Sequence, residues 1–174
     1  MAGTAQWDLP LPSDGQTPWG DDYRAALTEI DARLLSVRGS LFVEDNSDPT
    51  VSPGTAGAKA VLNGVDSGPA CRFCEIDGNR ITYTGPLEKV PTVVATANVA
   101  SGANRTLELQ VRKNGQRVAG ANKKVRLGPN VDETSVAVAA NILLEQGDFL
   151  ELWIANLTGA QNVTVTDATL VTRG

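Results

Sequence analysis

Histidine is absent from the 174 residues of this chain. That gap removes Ser-His-Asp and Cys-His catalysis, and every metal site that needs an imidazole. Cysteine is nearly absent too. Cys71 and Cys74 form one C-x-x-C, half of a zinc site with no second pair to complete it. The surrounding "ACRFCEIDGNRITYTG" reads as strand and turn, without the helix N-terminus a redox motif uses to lower a thiol pKa. The pair is read as inert thiols, with a disulfide or a metal as alternatives. No apolar run approaches the roughly 18 residues of a membrane-spanning helix. The start, "MAGTAQWDLPLPSDG", has neither the basic opening nor the apolar core of a secretory signal, so none is expected.

Basic residues are outnumbered, 15 to 20, giving a net charge of −5. An acidic chain argues against nucleic acid as main partner. The charge is uneven, however. Residues 105–126 hold Arg105, Arg112, Lys113, Arg117, Lys123, Lys124 and Arg126 against Glu108 alone. Such a stretch is either a solvated hairpin or a face for an anionic surface polymer.

What is present falls into four parts. Residues 1–20 are rich in Pro, Gly and Asp, and prolines exclude a regular helix or central strand. Trp7 and Trp19, with Leu9 and Leu11 between them, suit an extended segment docking into another protein. Residues 21–38 contain the one convincing helix. Its apolar residues Tyr23, Leu27, Ile30, Leu34 and Val37 are spaced 4, 3, 4 and 3. This is a coiled-coil seam with Leu27 and Leu34 at a and the others at d, a pattern that favours more than two strands. A helix packed on its own domain is the alternative. Asp21 and Asp22 suit its start, Arg33 and Arg38 its end, and Gly39 its stop.

Residues 39–70 read as a linker with short strands near Leu41–Val43 and Ala60–Leu62. The oxygen-rich "EDNSDPT" lacks the spacing of a calcium loop and reads as a solvated turn. Residues 71–174 are a succession of short strands with turn signals every 8–12 residues, the mark of an antiparallel sandwich or barrel. Val93, Ala95, Ala97 and Val99 alternate inward, as do Leu107, Leu109 and Val111. Asn114-Gly115 is a strong hairpin turn. Gly147-Asp148 precedes a strand whose Leu150, Leu152 and Ile154 face one way. Phe149, Glu151 and Trp153 face the other, toward solvent or another copy. Val163 and Val165 alternate in the last strand.

The segments "GNRITYTGP", "LELQVRKNGQ" and "LLEQGDFLELWIANLTGAQNVTVTDATLVT" together resemble the globular heads of the complement and tumour-necrosis-factor-like jelly-roll family. The resemblance is greatest to the versions at the tips of bacteriophage fibres and decoration proteins, and it spans about residues 75–174. Separately, "LPLPSDGQTPWGDDYRAALTEIDARL" is similar to the starts of phage tail-fibre and minor tail proteins. No long shaft or collagen-like repeat is present, so the implied object is stubby. The resemblance implies a mainly β protein: a jelly-roll head preceded by one short coiled-coil helix. It also implies a homotrimer about a three-fold axis, with a seam at Tyr23, Leu27, Ile30, Leu34 and Val37.

The expected function is a non-enzymatic virion protein without cofactor, metal or membrane. Its N-terminus would be anchored through Trp7, Leu9, Leu11 and Trp19 to other virion proteins. A minor tail protein is the first reading and a capsid decoration protein or head fibre the second. Host-surface glycan is a further expected partner. Tyr83, Lys113, Arg117 and Trp153 are the candidate contact residues, with plain packing as the alternative for Trp153. Three N-x-T sequons, at Asn104, Asn156 and Asn162, are read as by-products of threonine-rich strands.

Overall fold

The computed structural model describes residues 24–28, 30, 37–43, 50–51, 59–61, 66–67, 72–129 and 133–174. The chain divides into two compact units, Met1–Leu35 and Ser36–Gly174. In the first, residues 24–28 and 30 are helical. Thr28 Oγ1 donates to Arg24 O at 2.8 Å there, the back-bond a helical threonine makes. Leu27 is exposed and Ile30 half-buried. Tyr23, Leu34 and the anchor residues Trp7, Leu9, Leu11 and Trp19 lie outside the described residues, as do residues 44–49 of "EDNSDPT".

The second unit is an antiparallel β-sandwich. Its strands are β1 (Arg38–Val43), β2 (Thr50–Val51), β3 (Lys59–Val61), β4 (Asp66–Ser67), β5 (Cys74–Asp77), β6 (Arg80–Tyr83), β7 (Thr92–Ala100), β8 (Thr106–Lys113), β9 (Gln116–Arg126), β10 (Glu133–Asn141), β11 (Phe149–Asn156) and β12 (Val163–Arg173). The first sheet runs β10-β7-β12-β1-β4, with β2 on β12; the second runs β5-β6-β11-β8-β9, with β3 on β11. Consecutive long strands switch sheets or turn back as hairpins, the winding of a jelly roll.

Alternation decides which side chains enter the core. From β7 and β10 the first sheet contributes small ones, Val93, Ala95, Ala97, Val99, Val136 and Val138, all buried, with the larger Leu41 and Leu170 from β1 and β12. The second contributes larger ones, Leu107, Leu109, Val111, Leu150, Leu152 and Ile154. Small against large fills the space between two sheets about 10 Å apart. Among the described residues two buried side-chain polar atoms have no hydrogen-bond partner, Arg80 Nε and Thr172 Oγ1. Thr172 is 1% exposed, and its hydroxyl has no hydrogen-bond partner. Thr172→Val keeps the shape and removes the orphan, so it is expected to raise stability by up to about 1 kcal/mol in a urea titration. A loss above that size would show that the hydroxyl has a partner in solution.

Two sequence expectations change at the start of the head. Val37, placed at the end of the helical seam, is 1% exposed and belongs to the sandwich core. The heptad and the alternation of Val37, Gly39 and Leu41 coincide at that residue, and the sandwich core takes it, one residue ahead of the first strand. Residues 38–43, assigned partly to the helix and partly to a linker, form β1, paired with β12 along all six residues. The short strands expected near 41–43 and 60–62 are there as β1 and β3.

The thiol expectation is also corrected. Cys74 is disulfide-bonded, and the only other cysteine in the chain is Cys71. Cys74 Sγ lies 2.7 Å from Arg38 O. A disulfide sulfur has no proton to give, so this is a contact. β1 passes so close that a Cβ on Gly39 would meet Cys74 Sγ at 2.8 Å and Ile81 Cγ2 at 2.9 Å. Only glycine fits there.

Candidate functional site

The four residues singled out as surface contacts have separate fates. Tyr83 is not at the surface. It follows Ile81 inward on β6 and is 2% exposed, and its hydroxyl donates to Leu87 O. Burial pushes its phenol above the ordinary range. Tyr83 is therefore a core residue and not a contact residue.

Lys113 ties two turns together. Its Nζ pairs with Asp148 Oδ2 at 2.6 Å and donates to Leu143 O at 2.8 Å. Asn114, at the hairpin tip with φ 52, precedes Gly115 with φ 71, the left-handed pair such a turn requires. Asn114 Nδ2 donates to Asp148 Oδ1 at 2.6 Å, and Asn114 Oδ1 accepts from Phe149 N at 2.9 Å. The Glu145 N–H reaches Asp148 Oδ2 at 2.7 Å. Burial alone would raise the Asp148 pKa. The hydrogen bonds from Lys113, Glu145 and Asn114 and the Lys113 charge outweigh it, so the pKa is lowered. A depressed folded pKa means stability that is present above the unfolded carboxylate pKa and lost as pH falls through the folded value. Asp148→Asn should therefore flatten the acid limb of the stability-pH profile. An unchanged limb would show that Asp148 is not linked to folding.

Trp153 and Arg117 lie on the outer face of the second sheet. The Arg112 guanidinium sits 4.4 Å over the Trp153 ring, and that of Arg80 4.8 Å over Phe149. Trp153 Nε1 donates to Glu151 Oε2 at 3.0 Å. From Arg112 a connected network continues. Arg112 Nε reaches Gln110 Oε1 at 3.4 Å, Gln110 Nε2 reaches Glu108 Oε2 at 2.7 Å, and Asn122 Nδ2 reaches Glu108 Oε1 at 2.8 Å. Arg117 joins it through Asn122 Oδ1 at 2.9 Å. Arginines from neighbouring strands thus cover the aromatic face expected to meet solvent or another copy. Glu108, Gln110 and Glu151 are buried beneath them.

The outer face of the first sheet is chemically different. Strand register sets its rows. One row is Ala139, Val94, Val171 and Ser40; the next is Ala137, Thr96, Thr169 and Phe42. Across β10, β7, β12 and β1 neither row contains a charge; on β4, Asp66 pairs with Phe42 and ends the second row. A third row, Ser135, Asn98 and Asp167, is joined by hydrogen bonds of 2.6 and 3.2 Å. At the opposite margin stand Asn141, Thr92, Arg173 and Arg38. Val94 is 40% exposed, high for valine at the centre of a sheet. Sequence reading passed over this face. Its signal was available as the uncharged residues at the central outward positions of β7 and β10, Val94, Thr96, Ala137 and Ala139.

Several loops are held by one residue, Asn156, which is fully buried. Its Nδ2 donates to Ser101 Oγ and Gln161 O at 3.2 Å each, and its Oδ1 accepts from Thr158 N at 3.2 Å. Asn156 is thus committed to packing, and its sequon is no acceptor in the folded protein.

No protein-family model matches the chain, and no curated protein does. Solved structures do match. Murine APRIL, crystallised at pH 5.0, is 12% identical over 78% of this chain and 98% of its own, with a TM-score of 0.50. Eiger TNF from S. frugiperda is 14% identical over 78% and 92%, with a TM-score of 0.52. For PRD1 vertex protein P5 the values are 12%, 79%, 71% and 0.47. At such identities the likeness is one of fold. The head is a jelly-roll sandwich of the tumour-necrosis-factor type.

Proposed function

We propose that this chain is a non-enzymatic virion structural protein, a homotrimeric spike whose heads associate through the outer face of the first sheet. The observation that carries this reading is the uncharged row Ala139, Val94, Val171 and Ser40, flanked across β10, β7 and β12 by the uncharged Ala137, Thr96 and Thr169. A sheet face meeting only water normally carries alternating charges. Removing the Val94 row from water leaves no ion unpaired, and core positions of interfaces are depleted of charge in the same way. A seam through Leu27 and Ile30 would then hold three N-terminal helices in register.

The N-terminal segment, with Trp7, Leu9, Leu11 and Trp19, would anchor the trimer to other virion proteins, as its similarity to phage tail-protein starts implies. The head begins at the strand ends formed by Arg38, Thr92 and Asn141. Loops 101–105 and 157–162 close the opposite ends of the strands, away from the residue at which the chain enters the head. They replace Tyr83 and Lys113 as the place for host-glycan contact, while Arg117 and Trp153 lie on a side face.

A non-enzymatic reading agrees with how the acids are used. Asp148 is held by Lys113, and Glu151 holds the Trp153 indole. Mass spectrometry of density-banded particles tests the assignment. A few copies per particle support a minor tail protein, and tens or hundreds support the capsid-decoration alternative. Complete absence from particles overturns both.

A further inference from the structure

We infer that Arg173, Arg38 and Arg72 form an oxyanion-binding site at one margin of the first sheet. Arg38 pairs in register with Arg173 on β12, and an isolated antiparallel bridge pairs it with Arg72 on its other side. The bridge is backbone-bonded in both directions, Arg38 N to Arg72 O at 3.2 Å and Arg72 N to Arg38 O at 2.8 Å. Directly paired residues of antiparallel strands share a face. Three arginines therefore stand abreast, neighbours about 5 Å apart along the hydrogen-bonding direction.

This arrangement is unfavourable by itself, because like charges directly opposite one another repel. Among the described residues no carboxylate forms an ion pair with any of the three, and all three are exposed. The contrast with Lys113 is plain, since that cation has its own aspartate. The surface beside Arg38 and Arg173 is concave; its Ser40, Phe42 and Val171 belong to the face proposed for association, so the arginines stand at the rim of that face. A guanidinium is a planar fork of donors that fits phosphate or sulfate oxygens two at a time. One carboxylate has too few oxygens for three such forks. A tetrahedral oxyanion, or a short run of them, has enough. The two sources of that chemistry are a small free anion and a phosphate- or sulfate-bearing polymer.

The site belongs to a single head and does not require the trimer. Titration calorimetry of the full-length protein at fixed ionic strength, with inorganic tripolyphosphate and separately with dextran sulfate, tests it. The stronger binder identifies the source. R38Q/R173Q should weaken binding by about tenfold or more, as expected for lost charge-assisted hydrogen bonds. K123Q/K124Q, which removes the same charge from β9, should leave binding unchanged. Removing the cross-strand repulsion should leave R38Q/R173Q at least as heat-stable as the parent in chloride. If that variant nevertheless fails to fold, R72Q, outside the long strands, provides the same comparison with a smaller loss. Equal affinity in the parent and the arginine variants, equal loss in K123Q/K124Q, or no binding of either probe to the parent overturns the inference.

Discussion

Asn156→Ala should lower the stability of the head by about 2–4 kcal/mol, since several buried polar groups lose their partner at once. The side chain is fully buried and bonds to Ser101, Thr158 and the Gln161 carbonyl. Those partners are not independent. Ser101 Oγ in turn donates to Asn162 O at 2.6 Å, and Thr158 Oγ1 accepts from Thr106 N at 3.0 Å. Truncating Asn156 therefore releases a network linking loops 101–105 and 157–162, together with the end of β8. Thermal unfolding of the variant should begin on the order of 10 °C lower. Hydrogen exchange should rise first in those two loops, while the Asn114 turn at the other end stays protected. A melting point within a degree or two of the parent would mean that the loops hold themselves without the amide.

Val94→Arg should produce the second large effect, on assembly rather than on folding. Val94 lies between Ala139 and Val171 in the middle of the uncharged face. An exposed substitution on an isolated head costs no more than about 0.5 kcal/mol. The same arginine inside an interface would be a buried charge without a partner, with a penalty of several kcal/mol in each copy. The circular dichroism spectrum and the monomer's melting should be unchanged, while native mass falls from three chains to one. A variant that keeps its mass would place the interface elsewhere. Arg117→Ser, on the outer face of the second sheet, is the matched control and should leave the mass unaltered.

The β-sandwich was legible in the chain because period-2 alternation is a local signal. Val93 to Val99, Leu107 to Val111 and Leu150 to Ile154 are buried as their alternation requires. Asn114-Gly115 was legible because few residues accept left-handed φ. The surroundings of Trp153 were not legible. That ring is covered by Arg112, which becomes its neighbour only through the β8–β11 register. Arg38, Arg72 and Arg173 are likewise brought together from the two ends of the head by pairing that no local window contains. Tyr83 could have been placed correctly, since it follows Ile81 at a spacing of two. Its aromatic character was taken as a sign of contact when alternation already assigned it to the core. Val37 shows the opposite difficulty, a residue that fits two periods at once.

The most direct test of the proposed spike is the native mass of the full-length protein by light scattering at micromolar concentration. Each chain is 18.2 kDa. The account predicts the mass of three chains for the parent and of one chain for Val94→Arg. A parent that runs as a monomer would contradict it, leaving the uncharged face of the first sheet without the occupant proposed for it.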